Sequence, residues 1–243
     1  MGNGTRHRSR AITLAAAVCV LAGASGCGGG APAASEHTTA AAPSKPAEPS
    51  KKVAPARVLT QRELKAAALP ESSAIVGQPN AIRAGAATPA DCTPVLAAGQ
   101  GQSQRMPRGV VQGTVSPGKN VAGQVFLTAY SAEDAGRALD DLRAALRTCH
   151  AFPTLLEGGK WSNVRAAEGL GEGDQEVAFR AKMIPVPDTP ALATEVRVIR
   201  VGATLVTFAT NDMSGTHDEV RVPRDLVHRQ VAALQKVSAA PAA

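Results

Sequence analysis

Residues 131–149 read SAEDAGRALDDLRAALRTC, and their spacing decides how the rest of the chain is read. Ser131 offers the short hydroxyl that caps a helix N-terminus. Glu133 and Asp134 follow in the first turn, where negative charge meets the positive end of the helix dipole. Ala135, Ala138, Leu139, Leu142, Ala145, Leu146 and Cys149 recur at i, i+3, i+4 and i+7. Arg137, Asp141, Arg143 and Arg147 fall on the wet side. The pattern predicts one amphipathic helix with Cys149 on its buried stripe, and that stripe needs a sheet to lie on.

The flanking residues supply the sheet. Residues 110–115 and 121–130 predict two strands around the turn Pro117-Gly118-Lys119-Asn120. After the helix, Val177, Phe179, Ala181 and Met183 alternate with Ala178, Arg180 and Lys182, a half-buried strand. Residues 194–201 and 204–209 predict a second hairpin around Gly202-Ala203. At the domain's start, Leu59-Thr60-Gln61-Arg62-Glu63-Leu64 carries a capping box and a hydrophobic staple, with Pro70 as the stop. Thr93 and Pro94 open a short helix, and a last one starts near Pro223 with Leu226, Val227, Val231, Leu234 and Val237 on one side. Residues 71–91 and 101–108 read as loops. The expected fold is α+β: an antiparallel sheet of about five or more strands, helices packed on one face, and one disulfide.

Upstream stands a different object. Arg6, Arg8 and Arg10 precede an uncharged run from Ala11 to Gly23, which ends in Leu21-Ala22-Gly23-Ala24-Ser25-Gly26-Cys27. A basic start, a short apolar core and a small-residue cut site make a secretory leader. About 20 apolar residues would be needed for a membrane span, so this run is too short for one. The cysteine behind small residues reads as a lipobox: residues 1–26 form the lipoprotein signal peptide, and Cys27 is lipidated, with palmitate among the acyl chains expected. Residues 27–57 hold five prolines, many alanines and no aromatic. Such a segment buries too little apolar surface to offset its ordering entropy, and it reads as a disordered tether. Residues 58–243 remain as one extracytoplasmic domain, large enough for a real core. The predicted address is the cell membrane, with the protein lipid-anchored on its extracytoplasmic face.

Composition narrows the function. The formal charge is +6, but three arginines and no acid belong to the leader, so the mature chain carries +3 and its basicity is poor evidence for nucleic-acid binding. Of four cysteines, Cys19 leaves with the leader and Cys27 takes lipid. Cys92 and Cys149 are left to pair in an oxidising compartment. Closing a loop of about 58 residues would stabilise by roughly 4 kcal/mol in the chain-entropy model. The rival is two free thiols or a metal pair, and no nearby His or acid completes a zinc site.

No catalytic constellation stands out. Asp212, Ser214, His217, Asp218 and Glu219 hold the parts of a hydrolase triad, but within eight residues of one loop, whereas triads are assembled from separate elements. The glycines of Gly169-Leu170-Gly171-Glu172-Gly173-Asp174 precede a strand, so they make a turn rather than a phosphate loop. His150, His217 and His228 have no ligand spacing, and Trp161 reads as a core plug. No cofactor and no metal are expected.

Taken together, the lipobox, the low-complexity tether, the Leu-Lys-Ala-Ala-Ala-Leu-Pro helix, Cys92-Thr93-Pro94-Val95, the strand-to-helix unit ending in Cys149 and the terminal Val-Pro-Arg-Asp-Leu helix form a recognisable order. The chain resembles actinobacterial secreted lipoproteins similar to the extracellular sensor domain of PknH-type Ser/Thr kinases. The resemblance implies an antiparallel sheet with helices around a cleft that binds a ligand. It implies sensing or binding, not phosphorylation. Those domains commonly carry a second disulfide, for which this chain has no cysteines. The function expected is a non-enzymatic ligand-binding or sensor-like domain on a lipid anchor, its partner an unknown small ligand or an envelope protein. Such a domain is expected to present a concave apolar pocket of ligand size, and a structure without one would count heavily against this reading. The alternatives are a cell-envelope hydrolase or lipid-handling enzyme using residues 212–219, and a structural or partner-binding lipoprotein without a small ligand.

Overall fold

A computed structural model describes residues 56–70, 72, 75–77, 86–154 and 159–241. The leader, Cys27 and all but the last two residues of the tether lie outside the described residues.

The hairpins form where turn chemistry placed them. β2 (Gly109–Gly118) pairs with β3 (Val121–Ala129), and β7 (Leu192–Val201) pairs with β8 (Thr204–Asp212). β3 then zips along β8 from Val121↔Asp212 to Ala129↔Thr204, which joins the two hairpins into one sheet. β6 (Gln175–Ile184) extends it beside β7. Three further strands fall where the sequence predicted none: β1 (Ile75–Gly77), β4 (Phe152–Pro153) and β5 (Lys160–Ala167). The antiparallel order is β1-β2-β3-β8-β7-β6-β5-β4. β5 escaped notice because its register shifts between Ser162 and Arg165, with Asn163 at φ +52°, so strict alternation breaks.

Two layers of helix cover this sheet. α2 (Thr93–Gly99) and α3 (Ala132–Leu146) lie on one face, packed with Phe179, Val196, Val198 and Leu205. α1 (Gln61–Ala67) and α4 (Arg224–Ala239) lie on the other, packed with Leu127, Ile199, Val206 and Phe208. The α+β class and antiparallel sheet stand as expected, but helices occupy both faces rather than one. The reason is visible in β7 and β8, whose residues are buried almost without a break. A strand buried on both sides needs cover on both sides.

Local signals explain each helix. Ser131 Oγ accepts from the Asp134 N–H at 3.0 Å, and the stripe from Ala135 to Leu146 is buried as its spacing required. At α1 the Thr60 N–H donates to Glu63 Oε2 at 2.8 Å while the Glu63 N–H donates to Thr60 Oγ1 at 3.3 Å, closing the capping box. α2 departs from expectation at its start: Thr93 lies inside the helix, and its hydroxyl accepts from the Ala87 N–H instead of capping. Its end is a Schellman motif, with the Gly101 N–H on the Ala98 carbonyl, the Gln102 N–H on the Ala97 carbonyl, and Gly101 at φ +68°. Only glycine fits there, since a Cβ would overlap the Phe126 ring.

Cys92 and Cys149 are bonded, with Cα atoms 5.4 Å apart across 57 residues of sequence. The bond joins the start of α2 to the turn after α3. Trp161 fills the core beneath them, stacked on Phe152 at 6.2 Å and tilted against Phe179 at 6.1 Å.

Candidate functional site

On the face that carries α1 and α4, one half of the sheet is covered by no helix among the described residues. Beyond β7 the apolar cluster stops, and the sheet surface there is charged. Register sets Arg180 on β6 opposite Glu195 on β7, with Arg197 two residues further along the same face. Glu195 has no exposed surface and Arg197 is 4% exposed. The Glu195 carboxylate accepts from Arg180 Nε and Arg197 Nε, each at 2.7 Å, and from the Val222 N–H at 3.4 Å. Arg197 Nη1 donates to Glu176 at 2.6 Å and to the Glu168 carbonyl at 3.1 Å. Glu176 in turn accepts from the Leu170 and Gly171 N–H groups at 2.7 and 3.1 Å. Two buried ions bear a large desolvation cost, offset here because nearly every acceptor is filled.

This network floors a groove of about 410 Å³. One wall is Glu168, Gly169 and Leu170, and the other runs from Arg221 to Arg224. Arg224 Nη2 reaches the Leu170 carbonyl at 3.3 Å, while Arg221 makes only a 3.7 Å ion pair with Glu219. The concavity is open, and charged side chains share its lining with Leu170, Val222 and Pro223, in place of the apolar pocket expected.

Two stretches discounted in sequence frame this groove. The glycine loop is pinned: Glu176 holds its start, and Asp174 accepts from the Gly202 N–H at 2.7 Å. Glu219, from the polar loop after β8, pairs with Arg165 at 2.6 Å and Arg180 at 3.5 Å. The rest of that loop is a clasp. The fully buried Asp212 carboxylate accepts from the Ser214 hydroxyl at 2.6 Å, the Ser214 N–H at 3.1 Å and the His217 N–H at 2.8 Å. The Ser214 hydroxyl, first among these, and the His217 N–H hold its carboxyl well below the usual range. In a triad the serine proton goes to imidazole and the carboxylate orients that ring. Here Ser214 donates straight to the carboxylate, and His217 Nδ1 faces the same carboxylate at 3.1 Å.

Other sequence candidates do not converge. His150 Nδ1 lies 3.3 Å from the Val164 carbonyl, and His228 Nδ1 lies 3.1 Å from Glu172. Among the described residues no three His, Cys, Asp or Glu side chains gather to hold a metal, and no helix is long and apolar enough to cross a membrane. A second groove of about 500 Å³ flanks the disulfide, but Arg105 and Asp141 in its lining are paired with each other at 2.5 Å.

Glu195 and Arg197 were missed in sequence. The signal was there: two opposite charges two residues apart, inside a strand rich in Val and Ile, share one face and must neutralise each other if that face is buried.

No family model matches the chain, and no curated protein matches it. Among solved structures it is similar to the extracellular domain of PknH from Mycobacterium tuberculosis, with 9% identity and a TM-score of 0.48 over 75% of this chain and 98% of that one. It is also similar to an uncharacterized Mycobacterium smegmatis protein, the Rv0999 ortholog, with 15% identity and a TM-score of 0.36 over 76% of this chain and 96% of that one. The resemblance is at the level of the fold.

Proposed function

We propose that the chain is a membrane-anchored extracytoplasmic lipoprotein whose folded domain is a non-enzymatic binding or sensor-like module for a small polar ligand. The observation that carries the binding part is the groove floored by the buried Glu195–Arg197 pair. Buried, hydrogen-bonded charges are costly to assemble, and at the bottom of a concavity they preorganise its walls. The Cys92–Cys149 bond supports the address, because such bonds persist in oxidising compartments. The lipobox ending at Cys27 supports the anchor.

The test is to purify the protein from its own envelope and identify bound compounds by mass spectrometry. Adding the compound back to ligand-free protein should shift the amide resonances of residues 168–171 and 221–224. A protein that carries no compound, or one whose compound maps elsewhere, would overturn the reading.

A further inference from the structure

The geometry points to an oxyanion, a carboxylate or phosphate group of low total charge, as the ligand chemistry of this groove, held by Arg221 and Arg224. The inference rests on the groove being the ligand site and adds what it selects. Hydrogen-bond capacity decides it. Glu195 is out of reach of solvent and already takes three donors, and Glu176 behind it takes three more. These carboxylates have little left to offer a ligand. The cations are the reverse. Each guanidinium carries five N–H donors. Arg224 has one placed on a carbonyl, and Arg221, with 73% of its side chain exposed, has none within hydrogen-bond distance of its acid neighbour. A wall with surplus donors of fixed planar geometry fits an acceptor-rich anion, which guanidinium grips in bidentate fashion.

Glu168 limits the charge. It lines the opposite wall, and its carboxylate has no cationic partner among the described residues. A polyanion would bring charge against it, whereas a single carboxylate or phosphate can sit on the arginine wall alone. A ligand amine, if present, would turn toward Glu168.

Calorimetric titration of the mature protein in detergent, with acetate in one arm and inorganic phosphate in the other, tests this. At least one probe should bind, and more weakly as salt rises. Arg221→Ala and Arg224→Ala should each weaken binding by about tenfold or more, the scale of one charge-assisted hydrogen bond. Glu168→Gln should tighten it, and Arg105→Ala, in the other groove, should leave it unchanged. The arms separate carboxylate from phosphate by which probe binds better. Both arginines are exposed, so thermal melts of the variants should match the parent. Should either variant unfold, the sign of the Glu168→Gln effect still decides. Failure of both probes to bind, or binding indifferent to all three groove variants, would overturn the inference. If an envelope compound maps to the groove but is neutral or cationic, the binding reading survives and the oxyanion falls. If nothing maps there, both fall.

Discussion

Glu195 shows how much can rest on one side chain. Its carboxylate ties β6 to β7 through Arg180, fixes Arg197 on its own strand, and receives the backbone just ahead of α4. Replacing it with alanine leaves Arg197 buried beside a void, and removal of one member of a buried pair costs about 3–5 kcal/mol. Urea unfolding of Glu195→Ala should show a loss of that size, whereas a loss under about 1 kcal/mol would mean the pair behaves like a surface one. Glu63 acts at the opposite corner. Its bonds to the Arg57 guanidinium, then to the Thr60 N–H and hydroxyl, lower its pKa from an ordinary 4.5 to about 2. A depressed carboxylate stabilises the fold fully above its unfolded pKa and loses that contribution as pH falls through the folded one. The docking of α1 should therefore weaken between pH 4.5 and about 2. An NMR titration of Glu63 should give that low value, and Arg57→Ala should raise it; an unchanged value would break the link to Arg57.

At the scale of elements, the helices were legible because caps and stripes are local. The central strands were legible because turn residues bracket them. What the sequence hid was cover and edges. β5 carries a bulge, and β1 and β4 have three and two residues, too short for alternation to register. α2, though short, is well packed. Val95, Leu96, Ala97 and Ala98 are all buried, and Gly99 lies so near the Trp161 indole that an added Cβ would fall 2.6 Å from it. The helix therefore has packing of its own besides the disulfide that tethers its start to the end of α3. Reduction should loosen it without releasing the opposite face, which belongs to a separate apolar cluster with α1 and α4. The expected loss is about 2–4 kcal/mol. Hydrogen exchange with and without reductant should show protection falling in Thr93–Gly99 and holding in Arg224–Ala239. Equal loss in both would show that the bond holds the whole domain.

Across the whole molecule, α4 relates the root of the tether to the groove. Arg57, placed by sequence at the tether's end, donates through Nη2 to the Val237 and Ala240 carbonyls at 2.9 and 3.2 Å, so the chain enters the fold beside the C-terminal end of α4. The groove wall of Val222, Pro223 and Arg224 lies at the N-terminal end of the same helix. Sixteen residues at 1.5 Å each separate the two by roughly 24 Å. Arg57 is thus held about a helix length from Arg224, and loss of the lipid should not disturb binding. A single experiment reads both halves of that statement. Cys27→Ala should abolish incorporation of labelled palmitate and leave the protein either soluble or with its leader uncleaved, while its melting temperature and groove resonances match those of the parent. Absence of label from the parent itself would remove the lipid anchor. Loss of groove binding in a folded Cys27→Ala protein would show that the membrane contributes to the site, against the separation that α4 imposes.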